Sequence, residues 1–141
     1  MLHVSRSGDI TDRTKYLLGE ESVNPAQGML RTVACLHAAA TATEHRRLVI
    51  SVPCGTFHSQ PIFDVFLNGV TAKYDTSSST TEVKIVSMVD EVKVHLKERV
   101  RPKPGADRVK TIAVMSTTGT RKAGLYNKAF EAEGYRILQV S

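Results

Sequence analysis

Tryptophan is absent from this chain of 141 residues, and aromatic residues make up only 6% of it. A surface that reads nucleic acid by stacking interleaves aromatics with its cations. Here the basic clusters at Arg46-Arg47, Lys97 to Lys103 and Arg121-Lys122 stand apart from the Tyr and Phe residues. The formal net charge of +5 is accounted for equally well by a small anionic substrate or a solvated surface, and no nucleic-acid partner is expected. Cysteine is scarce too. Cys35 and Cys54 cannot make a disulfide framework, and they fit a reducing compartment. Long apolar runs are missing, so no membrane span is expected. Met1 to Arg6 carries no apolar region of signal-peptide length, which makes a cytoplasmic location the expectation. What remains, 41% hydrophobic and 23% charged, is the composition of an ordinary globular domain.

Read in order, the chain alternates strands and helices. Met1 to Ser5 is the short tail of a strand, and Arg6 to Thr14 reads as a polar loop leading into Lys15 to Leu18, which Gly19 stops. Asn24-Pro25 is a helix start, with Asn capping and Pro at the first helical position. Strong helix formers run from Ala26 to about Glu44, with Met29, Leu30, Val33, Leu36, Ala40 and Thr43 at helical spacing. Cys35 falls on that helix and is read as core. Leu48 to Val52 is a short buried strand that Pro53 ends. Ile62 to Val70 can form a short helix. Thr71 to Thr81, dominated by Ser and Thr, reads as a surface loop or linker. Val83 to Met88 is a second strand and Asp90 to Arg101 an amphipathic helix. Arg101-Pro-Lys-Pro-Gly105 is the best domain boundary, dividing 1–101 from 102–141. Lys110 to Met115 is a third strand, Ser116 to Thr120 a hydroxyl-rich turn, Lys122 to Glu133 a helix with Gly134 as its C-cap, and Tyr135 to Val140 a fourth strand. The fold class is α/β, with a mainly parallel sheet flanked by helices.

Chemistry concentrates where the first strand ends. Pro53 is followed by Cys54, Gly55, Thr56 and His58, so a thiol stands at the carboxyl end of a strand, where open α/β sheets bind ligands. Such a cysteine is a nucleophile or base if its thiolate is stabilised, and an inert buried residue if it is not. A phosphatase loop, Cys-x₅-Arg, fails because Gln60 occupies the arginine position. A structural zinc site fails for want of ligands, so no metal is expected. His58 either orients the thiol loop or is a plain surface histidine. Thr117 to Thr120 precedes a helix and is either an anion site or a simple N-cap. It is not a P-loop, since Leu125-Tyr126 follows the second glycine. Arg13 can clamp a carboxylate bidentately or take part in an ordinary capping cluster. The strand–Cys54–Gly–Thr56 and strand–Thr117–Thr–Gly–Thr120 segments echo one another, as two related halves facing a common cleft would.

Taken together, these stretches resemble the aspartate/glutamate racemase family of cofactor-independent amino-acid racemases. Ile10-Thr-Asp-Arg-Thr14 is similar to the family's Ile-Pro-Asp-Arg-Thr segment, and Val52-Pro-Cys-Gly-Thr-Phe-His58 to its Pro-Cys-Asn-Thr-Ala-His motif. Ile85-Val-Ser-Met-Val-Asp-Glu91 resembles the strand and helix start that follow. Val114 to Tyr126 resembles the opening of the second half. Order and spacing agree along nearly the whole chain, with Thr71 to Thr81 as an insertion. The resemblance implies two pseudo-symmetric α/β halves around one site, of which this chain holds one and a half. One thiol from each half would face the substrate Cα, with neither pyridoxal phosphate nor metal taking part. Cys54 would be the first-half acid/base. Thr56, with the backbone of Gly55 and Phe57, would hold a substrate carboxylate. Asp12, Arg13 and Thr14 would line the same site, with Arg13 as charge partner, and the turn carrying Thr118 and Thr120 would lie at the cleft.

The resemblance also has departures. Gly55 stands where the family usually has Asn. The opening Gly-Gly-Met-Gly strand and the second-half Gly-Cys-Thr segment are not found, which implies a member truncated at both ends and a tendency to associate, as a homodimer for example. The implied activity is racemisation of aspartate or glutamate. The alternatives are an inactive remnant binding an anionic metabolite or a protein partner, and a relative of the hydantoin racemases or maleate isomerases.

Overall fold

The computed structural model describes residues 12–75, 80–99 and 110–140. It is a mixed α/β structure with two parallel strand pairs. In chain order its elements are α1 (Arg13–Leu17), α2 (Ala26–Ala42), β1 (Arg47–Ser51), a 3₁₀ turn (Gly55–His58), α3 (Gln60–Tyr74), β2 (Glu82–Val86), α4 (Met88–Arg99), β3 (Lys110–Met115), α5 (Thr118–Lys122), α6 (Leu125–Phe130), a second 3₁₀ turn (Glu131–Glu133) and β4 (Tyr135–Val140). The expected boundary at Arg101–Gly105, the segment Met1–Ser5 and the centre of the Ser/Thr-rich stretch at 76–79 lie outside the described residues.

Among the described residues the strands form two separate pairs instead of one continuous sheet. β1 pairs with β2 in register from Arg47 opposite Glu82 to Ser51 opposite Val86. β3 pairs with β4 from Lys110 opposite Tyr135 to Met115 opposite Val140. Strand periodicity sorts the first pair into faces. Ile50 is buried and Leu48 half-buried on one side, while Val49 on the other is 55% exposed. On the same pair, the Arg47 Nε donates to Glu82 Oε2 at 2.8 Å across the strands.

The larger core lies against the first pair. Ala26 and Val33 of α2 meet Ile62, Phe63, Phe66 and Val70 of α3, with Ile50, Val52 and Phe57 completing it. Phe57 and Phe66 sit edge to face with ring centroids 5.3 Å apart, the arrangement aromatic quadrupoles favour. Gly69 leaves room for Leu30 of α2 against α3, since a Cβ there would fall 2.7 Å from Leu30 Cδ1 and push that side chain aside. A second, smaller cluster joins Val89 of α4 to Leu125, Phe130 and Tyr135, with Leu96 and Ile112 packed against it. α4 thus leaves β2 of the first pair and buries its apolar side against the elements of the second. Lys93 and Lys97 of the same helix pair with Glu133, at 3.6 and 2.9 Å.

Four details differ from what the sequence predicts. Cys35 is exposed and not core. The buried stripe of α2 is Ala26, Val33 and Ala40, and two residues beyond Val33 the helix has turned about 200°, to the opposite side. α3 runs on through Thr71 to Tyr74, where a loop was expected. Val70 is buried, and Tyr74 packs at a tilt against His37 of α2, 4.5 Å between centroids. At the far end of that stretch Thr81 is buried as well. Its hydroxyl donates to the His45 carbonyl at 2.7 Å and lies 3.2 Å from the Thr41 hydroxyl. Met88 opens α4 and does not continue β2. The helix expected over Lys122–Glu133 is broken at Gly124, whose φ of 62° lies in the left-handed region, leaving α5 and α6 as separate short pieces.

Among the described residues no helix is long and apolar enough to cross a membrane.

Candidate functional site

Cys54 is delivered by the sharp end of β1. The Cys54 N–H donates to the Val52 carbonyl at 2.8 Å, a two-residue reach that closes a γ-turn on Pro53. The proline's fixed φ suits such a turn, and its missing N–H removes the donor that would extend the ladder. Cys54 itself is extended and half-buried, and its side chain packs on the edge of the larger core. Phe57 N–H then donates back to the Cys54 carbonyl at 3.1 Å, folding Gly55–His58 into the 3₁₀ turn. The Phe57 side chain is buried in the core, so only its backbone faces the loop. That N–H, expected to hold a carboxylate, is already engaged inside the turn.

Three hydroxyls meet beside the thiol loop. Thr56 Oγ1 lies 3.0 Å from Thr120 Oγ1 and 3.4 Å from Thr117 Oγ1, and the last two are 3.1 Å apart. Thr56 and Thr120 are buried. Thr117 is also the N-cap of α5, accepting from the Thr120 N–H at 3.5 Å. The triangle joins the loop after β1 to the loop after β3, between residues 64 apart in sequence.

Glycines allow the contact. A Cβ on Gly55 would stand 3.2 Å from Thr120 Oγ1 and 3.6 Å from the Tyr126 hydroxyl. A Cβ on Gly119 would overlap Thr14 Oγ1. Thr14, Gly55, Thr56 and Thr120 therefore converge, with α1, the thiol turn and α5 in mutual contact.

The other expected site residues stand differently. Asp12 is exposed, and its carboxylate is the N-cap of α1, accepting from Thr14 N–H at 2.8 Å and Lys15 N–H at 3.2 Å. Arg13 is half-buried in the first turn of α1. Thr118 is exposed and accepts from Arg121 Nη2 at 3.4 Å, a bond within α5 itself. No group of three or more His, Cys, Asp or Glu side chains suited to a metal ion occurs among the described residues.

Several residues of the site carried little or no signal in the sequence. Tyr126 reaches Gly55 only because Gly124 breaks the helix and turns α6 toward the loop. Ser116 Oγ is buried without a hydrogen-bond partner, one residue before the threonine turn. His58, which the sequence left between two roles, is buried at 4% exposure and bonded on both ring nitrogens. An open cleft of about 520 Å³ also lies over the carboxyl ends of β1 and β2. It is lined by Ser51, Pro53 and Val86 from the strand ends and by Glu91, His95 and Glu98 of α4 among others. Its wall reaches Pro53 but includes neither Cys54 nor the threonines.

The arrangement offers a half-buried thiol, a cluster of hydroxyls and two guanidiniums on the adjoining turns. Such a set suits an anionic ligand with a weakly acidic C–H. Compared with protein-family models and with curated proteins, the chain matches none.

Proposed function

We propose that this chain carries the first-half machinery of a cofactor-independent aspartate/glutamate-type racemase, in which Cys54 moves the Cα proton of an acidic amino acid. The observation that supports this most directly is the meeting of Thr56 and Thr120 hydroxyls at 3.0 Å, beside Cys54 and Thr14. Residues assigned to one site by their resemblance to one family's motifs are neighbours in space, although they come from three separate segments.

In this reading the Cys54 thiolate takes the Cα proton, and the electron pair left behind delocalises into the substrate carboxylate. That charge requires donors already in place when it develops. Arg13 supplies the cation, and Thr14, Thr56 and Thr120 supply hydroxyls. Returning the proton from Cys54 restores the same enantiomer, and inversion requires a second acid on the opposite face. Cys35 does not serve, being exposed on α2.

The test is deuterium wash-in at Cα. The chain is incubated in D₂O with each enantiomer of aspartate and glutamate, and exchange is followed by proton NMR. Exchange of one enantiomer, abolished in Cys54→Ala, is expected. Exchange that survives Cys54→Ala overturns the assignment of that thiol.

One observation favours a second reading, a binding protein without turnover. The three threonine hydroxyls are within bonding distance of each other, and a closed ring of three uses every hydroxyl proton. With the Phe57 N–H engaged as well, a carboxylate would rely mainly on Arg13. Calorimetric binding of aspartate that is lost in Arg13→Ala, with no deuterium wash-in, supports this reading over the first.

A further inference from the structure

His58 is a buried imidazole in the thiol loop, and both its nitrogens are committed. Nε2 lies 3.1 Å from the Met88 N–H, a group that can only donate. Nε2 must therefore accept, which assigns the proton to Nδ1. Nδ1 lies 2.9 Å from the Cys54 carbonyl oxygen and donates to it. The ring is clamped against Phe63, 4.5 Å between centroids, and edge-on to Phe57 at 6.4 Å. It cannot rotate without displacing core aromatics.

The two bonds have different destinations. One ends on the peptide that carries the thiol. The other ends on the first residue of α4, the helix that packs on the second cluster and lines the cleft over the strand ends. A purely packing role would be filled as well by phenylalanine, which fits the aromatic surroundings. The imidazole adds a donor to the Cys54 carbonyl and an acceptor to the Met88 N–H. Since the Cys54 carbonyl also receives the Phe57 N–H at 3.1 Å, its direction is held from two sides. Holding that carbonyl restrains the backbone of Cys54 and hence the direction of its Cα–Cβ bond, from which the thiol projects.

We propose that His58 is a positioning residue for Cys54, a buried brace that fixes the thiol loop to the amino end of α4. The proposal rests on the reading of Cys54 as the reactive group. It is tested through thiol chemistry that needs no substrate, so its failure and that of the racemase reading are distinguishable.

The full chain is prepared with Cys35→Ser, which silences the exposed thiol, and Cys54 is alkylated with iodoacetamide across a range of pH. His58→Phe keeps the ring volume and removes both bonds. It is expected to raise the whole rate-against-pH curve by about ten-fold as the half-buried thiol is released, a factor that one net buried hydrogen bond supports. His58→Asn, which places an amide donor near the Nδ1 position, is expected to restore the rate to within about two-fold of the parent. Met88→Pro removes only the backbone donor to Nε2, at a helix start where proline is tolerated, and should fall between. A His58→Phe curve that superimposes on the parent, or a His58→Asn rate no closer to it than the phenylalanine variant's, overturns the proposal. If circular dichroism shows His58→Phe unfolded, Met88→Pro and the tautomer decide. Long-range ¹⁵N NMR of the Cys35→Ser chain should show the Nδ1–H form, and finding the Nε2–H form overturns the brace.

Discussion

The two strand pairs of this protein share parallel pairing and are packed unequally. The β1–β2 pair has two helices laid on it and a described core of nine buried apolar residues, three of them phenylalanines. The β3–β4 pair has a described cluster of four, one of which is supplied by α4. Met115 of this pair is 84% exposed, against 55% for Val49 on the first. Parallel strands ordinarily bury both faces, so the second pair depends more on its connection to the first. That connection is the threonine triangle, the Thr14–Gly119 contact and α4. The candidate site lies where the more and less heavily packed regions touch, so its geometry relies on contacts other than a deep core.

Removing one phenylalanine from each cluster tests this asymmetry and should give the largest effect. Phe66→Ala is expected to cost about 3–5 kcal/mol in denaturant unfolding, since Phe66 is fully enclosed. Phe130→Ala should fall at or below about 3 kcal/mol, because a small cluster collapses more readily onto the cavity. Equal losses would break the comparison.

Crowding the junction should come next. Gly119→Ala forces Thr14 aside and is expected to cost about 1–3 kcal/mol, with deuterium wash-in reduced as well if Thr14 belongs to the site. Adding Thr14→Ala, which removes the overlapping hydroxyl together with the methyl, should recover part of the loss.

A smaller effect is expected from Thr120→Val, which keeps the shape and removes one vertex of the triangle. It should cost about 1–2 kcal/mol by leaving the buried Thr56 hydroxyl with one partner fewer. Val at the same place in a Thr56→Val background should then cost less, and a full second loss would show that the two hydroxyls act independently.

The smallest effect concerns the charged link between α4 and the second 3₁₀ turn. The Glu133 carboxylate is held below its usual range chiefly by its hydrogen bond from Lys97, with Lys93 adding to it. A carboxylate stabilised in the folded state contributes above its unfolded-state titration range, and that contribution is lost as pH falls through the folded one. Glu133→Gln should therefore lower the melting temperature slightly at neutral pH and leave it unchanged below the carboxylate range. The neutral-pH difference should shrink with added salt, because the pair is partly exposed.

Much of the secondary structure was legible along the chain. Lys110–Met115 and Tyr135–Val140 are rich in β-branched or aromatic residues, with the turn formers Gly134 and Ser116–Thr117 at their edges, and both strands have the expected limits. The strand before Pro53 was legible for the same reason, within one residue at either end. α3 was misjudged at its end because Thr71 to Tyr74 adjoins a Ser/Thr-rich run, although Ala72 and Lys73 favour helix and Tyr74 packs on α2. Cys35 was misjudged because helical spacing admits neighbouring stripes, and the choice between them depends on which face the next helix covers.

The residue types and spacings of the candidate site belong to the sequence alone. A breaker after a β-branched run must put Cys54 at a strand end, and a threonine before a short helix must cap it, because both follow from torsions and hydrogen-bond donors within a few residues. Tertiary structure alone decided that Thr14 would press on Gly119, that Tyr126 would reach Gly55, and that His58 would face inward with a bond at each nitrogen. These contacts join segments far apart in the chain, and their direction is set by how helices and strand pairs bury their apolar faces, a choice made collectively by the packed molecule.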